Sequence, residues 1–103
     1  MENKNIIFEY DNVTASEALE NFTKEKLNVI FDRYDFVHRA DVFFKTENTT
    51  SDETGMKSGI RLSAPGPRLF AESSHSTFKE SVVETIDELT RQLKKRKEKM
   101  KSY

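Results

Sequence analysis

The sequence predicts an α+β domain in which a four-stranded sheet carries two helices on one face, in the order β-α-β-β-β-α. Short segments with alternating apolar and polar residues indicate the strands, and two longer segments with apolar residues every three or four positions indicate the helices. Turn-forming residues separate these segments. Three consecutive strands favour an antiparallel meander. The hydrophobic content, 35% of 103 residues, agrees with a thin two-layer domain that leaves one sheet face in water.

The first strand and the first helix follow directly from the pattern. Residues 5–10 alternate as a strand should. Thr14 and Glu17 form T-x-x-E, which predicts a capping box at the start of a helix. We expect this helix to run from about residue 15 to residue 31. Four apolar residues and a small alanine form its predicted packing face: Leu19, Phe22, Leu27, Ile30 and Ala18.

Three further strands and a second helix complete the prediction. The strands are residues 37–47, 56–63 and 68–74, with a polar hairpin loop at 48–55 and an Ala-Pro-Gly-Pro turn after the third strand. Ser76 or Thr77 can cap the last helix. Its apolar residues recur at spacings of 4, 4, 3 and 4, which places them on one face: Phe78, Val82, Ile86, Leu89 and Leu93.

Charge is distributed unevenly along the chain. Residues 1–87 carry 10 Lys/Arg and 16 Asp/Glu, whereas residues 88–103 carry 7 Lys/Arg and 2 Glu. The seven cations lie within residues 91–101 and surround the helix axis. Because burying ammonium groups without partners is prohibitive, we expect this segment to project past the sheet as an overhang. Two or three lysines would offset the helix dipole, so seven favour a polyanion partner such as nucleic acid, with a solvated helix end as the alternative.

Several classes of function find no support in the residues. The chain has no cysteine, which excludes disulfide and thiolate metal sites. It shows no signal peptide and no apolar run of about 20 residues, so we expect a cytoplasmic protein without a membrane partner. His38 and His75 fit no metal-ligand spacing, and no nucleophile–base pair or phosphate loop is visible. We therefore expect no catalysis, no cofactor and no small-molecule substrate. Three phenylalanines could stack on bases if exposed, but core packing is expected for them: Phe8, Phe43 and Phe70.

The segment Ile86–Lys101, IDELTRQLKKRKEKMK, resembles the terminal helix of the ribosome hibernation-promoting factors, a family that includes protein Y and ribosome-associated inhibitor A. In that family L-x-R-Q-L-x-K is followed by further basic residues. Residues 14–19, 37–45 and 71–78 resemble the start of the family's first helix, its second strand and the passage into its last helix. The resemblance covers most of the chain in the expected element order.

The resemblance implies a fold like that of double-stranded-RNA-binding domains and a steric function. Such a domain binds the rRNA of the small ribosomal subunit between head and body, occupies the tRNA and mRNA path, and keeps bacterial ribosomes idle under stress. The positions that match the family's basic residues are the implied rRNA-binding residues: Lys26, Arg91, Lys94, Lys95, Lys97 and Lys99.

Some positions depart from the family pattern. Val29 and Asp32 stand where relatives often carry lysine, and Glu88 stands where some relatives carry it. The chain also ends at Tyr103, so we expect a single domain, residues 1–103, without the C-terminal domain by which long members join two ribosomes.

Two other hypotheses for the function remain open at this point. A protein-interaction adaptor would use the same basic helix end to bind an acidic partner. A single-strand RNA reader with sheet aromatics is disfavoured by the element order, because that fold requires β-α-β-β-α-β.

Overall fold

Four strands and two helices appear in the predicted order in the computed structural model, which describes residues 5–47 and 55–101. The elements are β1 (Asn5–Asp11), α1 (Glu17–Arg33), β2 (Arg39–Thr46), β3 (Met56–Ser63), β4 (Leu69–His75) and α2 (Phe78–Lys101). This confirms the predicted fold class. Most of the predicted hairpin loop, residues 48–54, lies outside the described residues.

The strands form one sheet in the order β1-β2-β3-β4. β2, β3 and β4 make the predicted antiparallel meander. β1 instead runs parallel to β2, with Phe8 opposite Val42, because α1 carries the chain back to the same end of the sheet. The turn between β3 and β4 contains Gly66 at φ +94°, a conformation that glycine adopts without steric cost.

The hydrophobic core lies between the sheet and both helices. Alternation along each strand brings one apolar set to this side, and the periodic residues of the helices cover it. The largest side chains that are fully buried come from α1, from the two central strands β2 and β3, and from α2: Leu27, Val42, Phe44, Ile60, Leu62, Val82, Leu89 and Leu93. The packing faces predicted for both helices are confirmed, except at Ala18, which is exposed. Thr23 takes a buried place instead, and its hydroxyl donates to the carbonyl oxygen of Leu19 at 2.8 Å.

The start of α1 differs from the predicted capping box. Ser16 is the N-cap residue, and its hydroxyl accepts a hydrogen bond from the N–H of Leu19 at 3.2 Å. The helix therefore begins at Glu17, the residue that the capping box would have placed inside the first turn. Serine and threonine hydroxyls both accept hydrogen bonds from the free N–H groups at a helix start. Ser16 can therefore replace Thr14 as the cap when the helix begins two residues later.

Two of the three phenylalanines expected in the core lie on the opposite face of the sheet. Phe8 does face the core and packs on Phe44 with the ring centroids 6.3 Å apart. Phe43 and Phe70 point to the solvent side, where their rings lie 6.2 Å apart and nearly parallel. The prediction was wrong for these two residues. Val42 and Phe44 flank Phe43, Leu69 and Ala71 flank Phe70, and all four are buried, so the intervening residue of each strand must point the other way.

Candidate nucleic-acid interface

The first half of α2 fixes the helix on the sheet. The hydroxyl of Thr77 accepts a hydrogen bond from the N–H of Glu80 at 3.2 Å, which caps the helix as predicted. Val82, Leu89 and Leu93 are fully buried on the sheet side. Burying aliphatic side chains of this size contributes about 1.5–3 kcal/mol each, so the orientation of α2 about its own axis is well determined.

The direction of the buried leucines determines where each basic residue points. We call residues Arg91–Lys101 the basic segment. At about 100° per residue, Arg96 and Lys97 fall within about 60° of the mean direction of Leu89 and Leu93. The remaining cations with described side chains fall about 100° or more away from it and are exposed: Arg91, Lys94, Lys95 and Lys99. These four residues form a solvent-facing row that we call the exposed ridge.

Arg96 binds the turn between β3 and β4. Its guanidinium donates to the carbonyl oxygen of Pro65 at 2.6 Å and to that of Pro67 at 2.8 Å. Gly66 lies beneath it, and a Cβ atom there would approach Nη1 of Arg96 to 3.1 Å. The fork of the guanidinium thus spans both prolines and holds the turn against α2.

Lys97 contacts the other side of the body. Its ammonium group lies 5.7 Å from the centroid of the Tyr34 ring, a cation–π contact with the residue that ends α1. Arg96 therefore lies half-buried against the fold, and Lys97 contacts the fold while it remains exposed. These contacts correct the prediction that the whole basic segment projects as an overhang. Long basic side chains can pack their stems on the body while their charged groups stay in water.

Arg91 has an acidic partner within the same helix. Its Nη2 donates to Oε1 of Glu88 at 2.7 Å, and its Nε donates to the same oxygen at 3.2 Å. These bonds from Arg91, followed by one from Gln92, lower the pKa of Glu88 below its ordinary value. The hydrogen bonds between Arg91 and Glu88 also raise the pKa of Arg91. Because the Arg91 side chain is 65% exposed, this pair is weak in water and can open when a stronger anion approaches.

Lys94, Lys95 and Lys99 are exposed and make no hydrogen bond or ion pair with any residue in the described ranges. They belong to the six predicted rRNA-binding residues, and the structure places them together with Arg91 on the exposed ridge. Lys97 lies on the α1 side of the helix. Lys26 lies on α1, where its ammonium group is 5.4 Å from the Phe22 ring. The structure therefore brings four of the six residues onto one surface.

Sequence reasoning missed the contact between Arg96 and the turn. The two carbonyls that Arg96 binds belong to residues about 30 positions earlier in the chain, so no local spacing in the sequence indicates this contact. The helical angle offers one signal, because Arg96 is the cation closest to the direction of the buried leucines. An interior-facing arginine near a proline–glycine turn is the pattern that would have suggested it.

Two other classes of site find no support within residues 5–47 and 55–101. No group of three or more His, Asp or Glu side chains there could hold a metal ion. His75 forms a hydrogen bond with Glu84 on the neighbouring helix. In the same ranges, no helix combines the length and the apolar character that crossing a membrane requires.

Comparison with known proteins bears on the family and the fold. The family described as sigma 54 modulation protein / S30EA ribosomal protein matches residues 6–101. A ribosomal subunit interface protein from Coxiella burnetii has a similar structure, with a TM-score of 0.76 and 22% identity over 90% of this chain and 97% of that chain. The N-terminal domain of Protein Y from Thermus thermophilus has a TM-score of 0.72 and 19% identity over 91% of this chain and 98% of that chain. Comparison with proteins of curated function yields no match.

Proposed function

We propose that this chain, which belongs to the family of sigma 54 modulation and S30EA ribosomal proteins, binds the rRNA of the small ribosomal subunit through its exposed ridge and holds the ribosome idle. The observation that carries the proposal is the placement of Lys94, Lys95 and Lys99, which are exposed and make no hydrogen bond or ion pair with an acidic residue in the described ranges. Their charge is balanced by mobile counterions. RNA phosphates can replace these counterions, and their release into solution drives binding.

The six proposed contact residues differ in what they must give up to bind a phosphate. Lys94, Lys95 and Lys99 give up only water and counterions. Arg91 must first leave Glu88, which reduces its net contribution. Lys97 and Lys26 can keep their ring contacts while they bind, since a cation–π contact leaves part of the ammonium group open.

The proposed mechanism is steric. The Cα atoms of the domain span 48 × 27 × 17 Å, so a domain held on the subunit by its ridge excludes other ligands from the volume that it occupies. We infer that this volume is the path of tRNA and mRNA, and that the protein acts in the cytoplasm without catalysing a reaction. The acidic remainder of the chain would limit binding to RNA sites whose shape fits the domain.

The test compares two variants with the same change in charge. In the first, Lys94, Lys95 and Lys99 are each replaced by Glu, and binding to purified small subunits is measured by sedimentation. We expect a loss of affinity of about hundredfold or more at moderate salt, because three phosphate contacts become repulsive. In the second, the same replacement is made at three exposed cations elsewhere: Lys24, Lys45 and Arg61.

The control variant should bind within about threefold of the unmodified protein, because its cations lie away from the ridge. Equal losses in both variants would show that net charge, and not the ridge, determines binding. Steric exclusion is tested separately: the unmodified protein should displace initiator tRNA and mRNA from the subunit. Simultaneous binding of all three would contradict the proposed mechanism while leaving ridge binding intact.

A further inference from the structure

We propose that the groove between α1 and α2 binds a basic polypeptide segment with an apolar side chain, belonging to a ribosomal protein next to the RNA that the exposed ridge contacts. This inference rests on the proposed function, since it names a second partner on the same subunit. The groove is separate from the exposed ridge and lies toward the start of α2.

The groove lies between two helices that run in the same direction. Lys79, near the start of α2, lies 5.4 Å from the ring of Phe22 in α1, and Lys97, near the end of α2, lies 5.7 Å from Tyr34 at the end of α1. The two lysines are 18 residues apart, about five full helical turns, so they share one line along α2. This line is the side of α2 that faces α1.

The floor of the groove is apolar. Phe22 and Val83 line a space of about 440 Å³, and the exposed fraction of Val83 is 41%. Val29, with an exposed fraction of 56%, lies seven residues after Phe22 on the same flank of α1. Phe22 and Val83 are the apolar side chains that line the groove, and Val29 lies farther along α1. They gain free energy when an apolar side chain covers them.

The rim of the groove is acidic. Glu80, Glu84 and Asp87 line it together with one basic residue, Lys79, whose ammonium group is held over the Phe22 ring. Lys26 lies over the same ring from the α1 side. His75 completes the rim and is paired with Glu84. Glu80 accepts hydrogen bonds from the Ser76 and Thr77 hydroxyls through Oε1, and Glu84 is paired with His75 through Oε2. The remaining carboxylate oxygens of the rim can accept from a lysine or arginine, whereas a phosphate would be repelled by them.

The choice of partner follows from combining these two features. An apolar floor needs an apolar side chain, and an acidic rim needs cations close to it. A polypeptide segment rich in lysine and arginine with an interspersed apolar residue supplies both. The groove also continues toward the exposed ridge, because Val83 and Lys94 are 11 residues apart and lie at nearly the same angle on α2. Docking of the ridge on rRNA therefore places the groove against the same subunit.

The first test replaces the acidic rim. Glu84→Lys combined with Asp87→Lys adds four positive charges next to the ridge. If the groove meets a basic segment, we expect affinity for purified small subunits to fall about tenfold, although the added charge favours RNA. A gain in affinity, as phosphates near the groove would produce, overturns the inference, and so does an unchanged affinity. The control Glu9→Lys with Asp11→Lys makes the same charge change on exposed residues of β1, and it should not weaken binding.

The second test identifies what lies next to each surface. A photo-crosslinking amino acid replaces Val83 in one protein and Lys95 in another, and each is irradiated on purified small subunits. The inference expects a crosslink from position 83 to a lysine- and arginine-rich peptide of a ribosomal protein, mapped by mass spectrometry. A crosslink from position 83 to RNA, or none, overturns it.

Position 95 reports on the proposed function independently. A crosslink from position 95 to rRNA supports ridge binding whatever position 83 shows. If position 95 yields only protein, the ridge does not contact RNA and the proposed function fails. If the unmodified protein does not sediment with the subunit, both proposals fail together.

Discussion

The two halves of α2 belong to one continuous helix but have different physical roles. Phe78–Glu88 carries one lysine and four carboxylates, whereas Leu89–Lys101 carries seven lysines and arginines and one glutamate. The first half is capped, borders the apolar groove and packs on the sheet. The second half is anchored by two leucines and by Arg96, and it presents cations to solvent.

The comparison shows that one helix can both pack on the core and present a surface for polyanions when the apolar and the basic residues lie on different faces of the helix. Leu89 and Leu93 point to the core, and Arg91 and Lys95, two residues after each, point away from it. The exposed ridge therefore does not need to project past the sheet to reach solvent. Leu89, Leu93 and Arg96 anchor the helix backbone that carries the ridge, and an anchored backbone loses less conformational entropy on binding than a frayed helix end would.

The largest expected effect separates the two roles. Leu89→Ala removes a fully buried side chain and should lower the free energy of unfolding by about 2–5 kcal/mol, because it leaves a cavity under α2. Lys95→Ala, six residues later on the exposed ridge, should change it by no more than about 0.5 kcal/mol. Urea denaturation followed by circular dichroism measures both. Equal effects would show that the ridge contributes to folding.

A smaller effect is expected at Arg96, which links the two roles. Arg96→Ala should destabilise the fold by about 1–2 kcal/mol, because two hydrogen bonds from a charged group to the carbonyls of Pro65 and Pro67 are lost at a solvated site. Arg96→Lys keeps the charge but cannot span both carbonyls, so its stability should stay close to that of the alanine variant. Thermal denaturation of the pair provides the measurement. Full recovery by lysine would show that charge, and not the fork, matters at this position.

The smallest expected effect tests the internal pairing of the ridge. Glu88→Gln removes the carboxylate that binds Arg91 and should tighten binding to small subunits about three- to tenfold. Arg91 then no longer has to leave Glu88 before it binds its phosphate, whereas the number of phosphate contacts and therefore the slope of the log–log salt dependence should stay nearly the same. Fluorescence anisotropy with labelled protein measures both quantities. Weaker binding would mean that Glu88 itself contacts the subunit.

The sequence predicted the element order and most of the core, because apolar periodicity is a local property that survives folding. The residues of α2 from Phe78 to Leu93 illustrate this point. The start of α1 was misplaced because Thr14 and Ser16 offer nearly equivalent caps, and the choice depends on where the chain leaves β1. Local propensity alone does not decide between them.

The side-chain contacts of the candidate site were less predictable. That α2 would carry a cationic surface followed from composition, but which cations are available depends on contacts between distant segments. Arg96 is engaged by a turn about 30 residues earlier, and Lys97 by the end of α1. Phe43 and Phe70 were misassigned for a different reason: the sequence shows that each alternates with core residues, but large aromatic side chains are usually expected to be buried.

The salt dependence of binding tests the central claim most directly. If Arg91, Lys94, Lys95 and Lys99 replace counterions on rRNA, about four phosphates are neutralised. The logarithm of the affinity for small subunits should then fall against the logarithm of salt concentration with a slope between about −3 and −4. A slope shallower than about −1 over the range from about 50 to about 200 mM salt would contradict the account, because the exposed ridge would then contribute no counterion release.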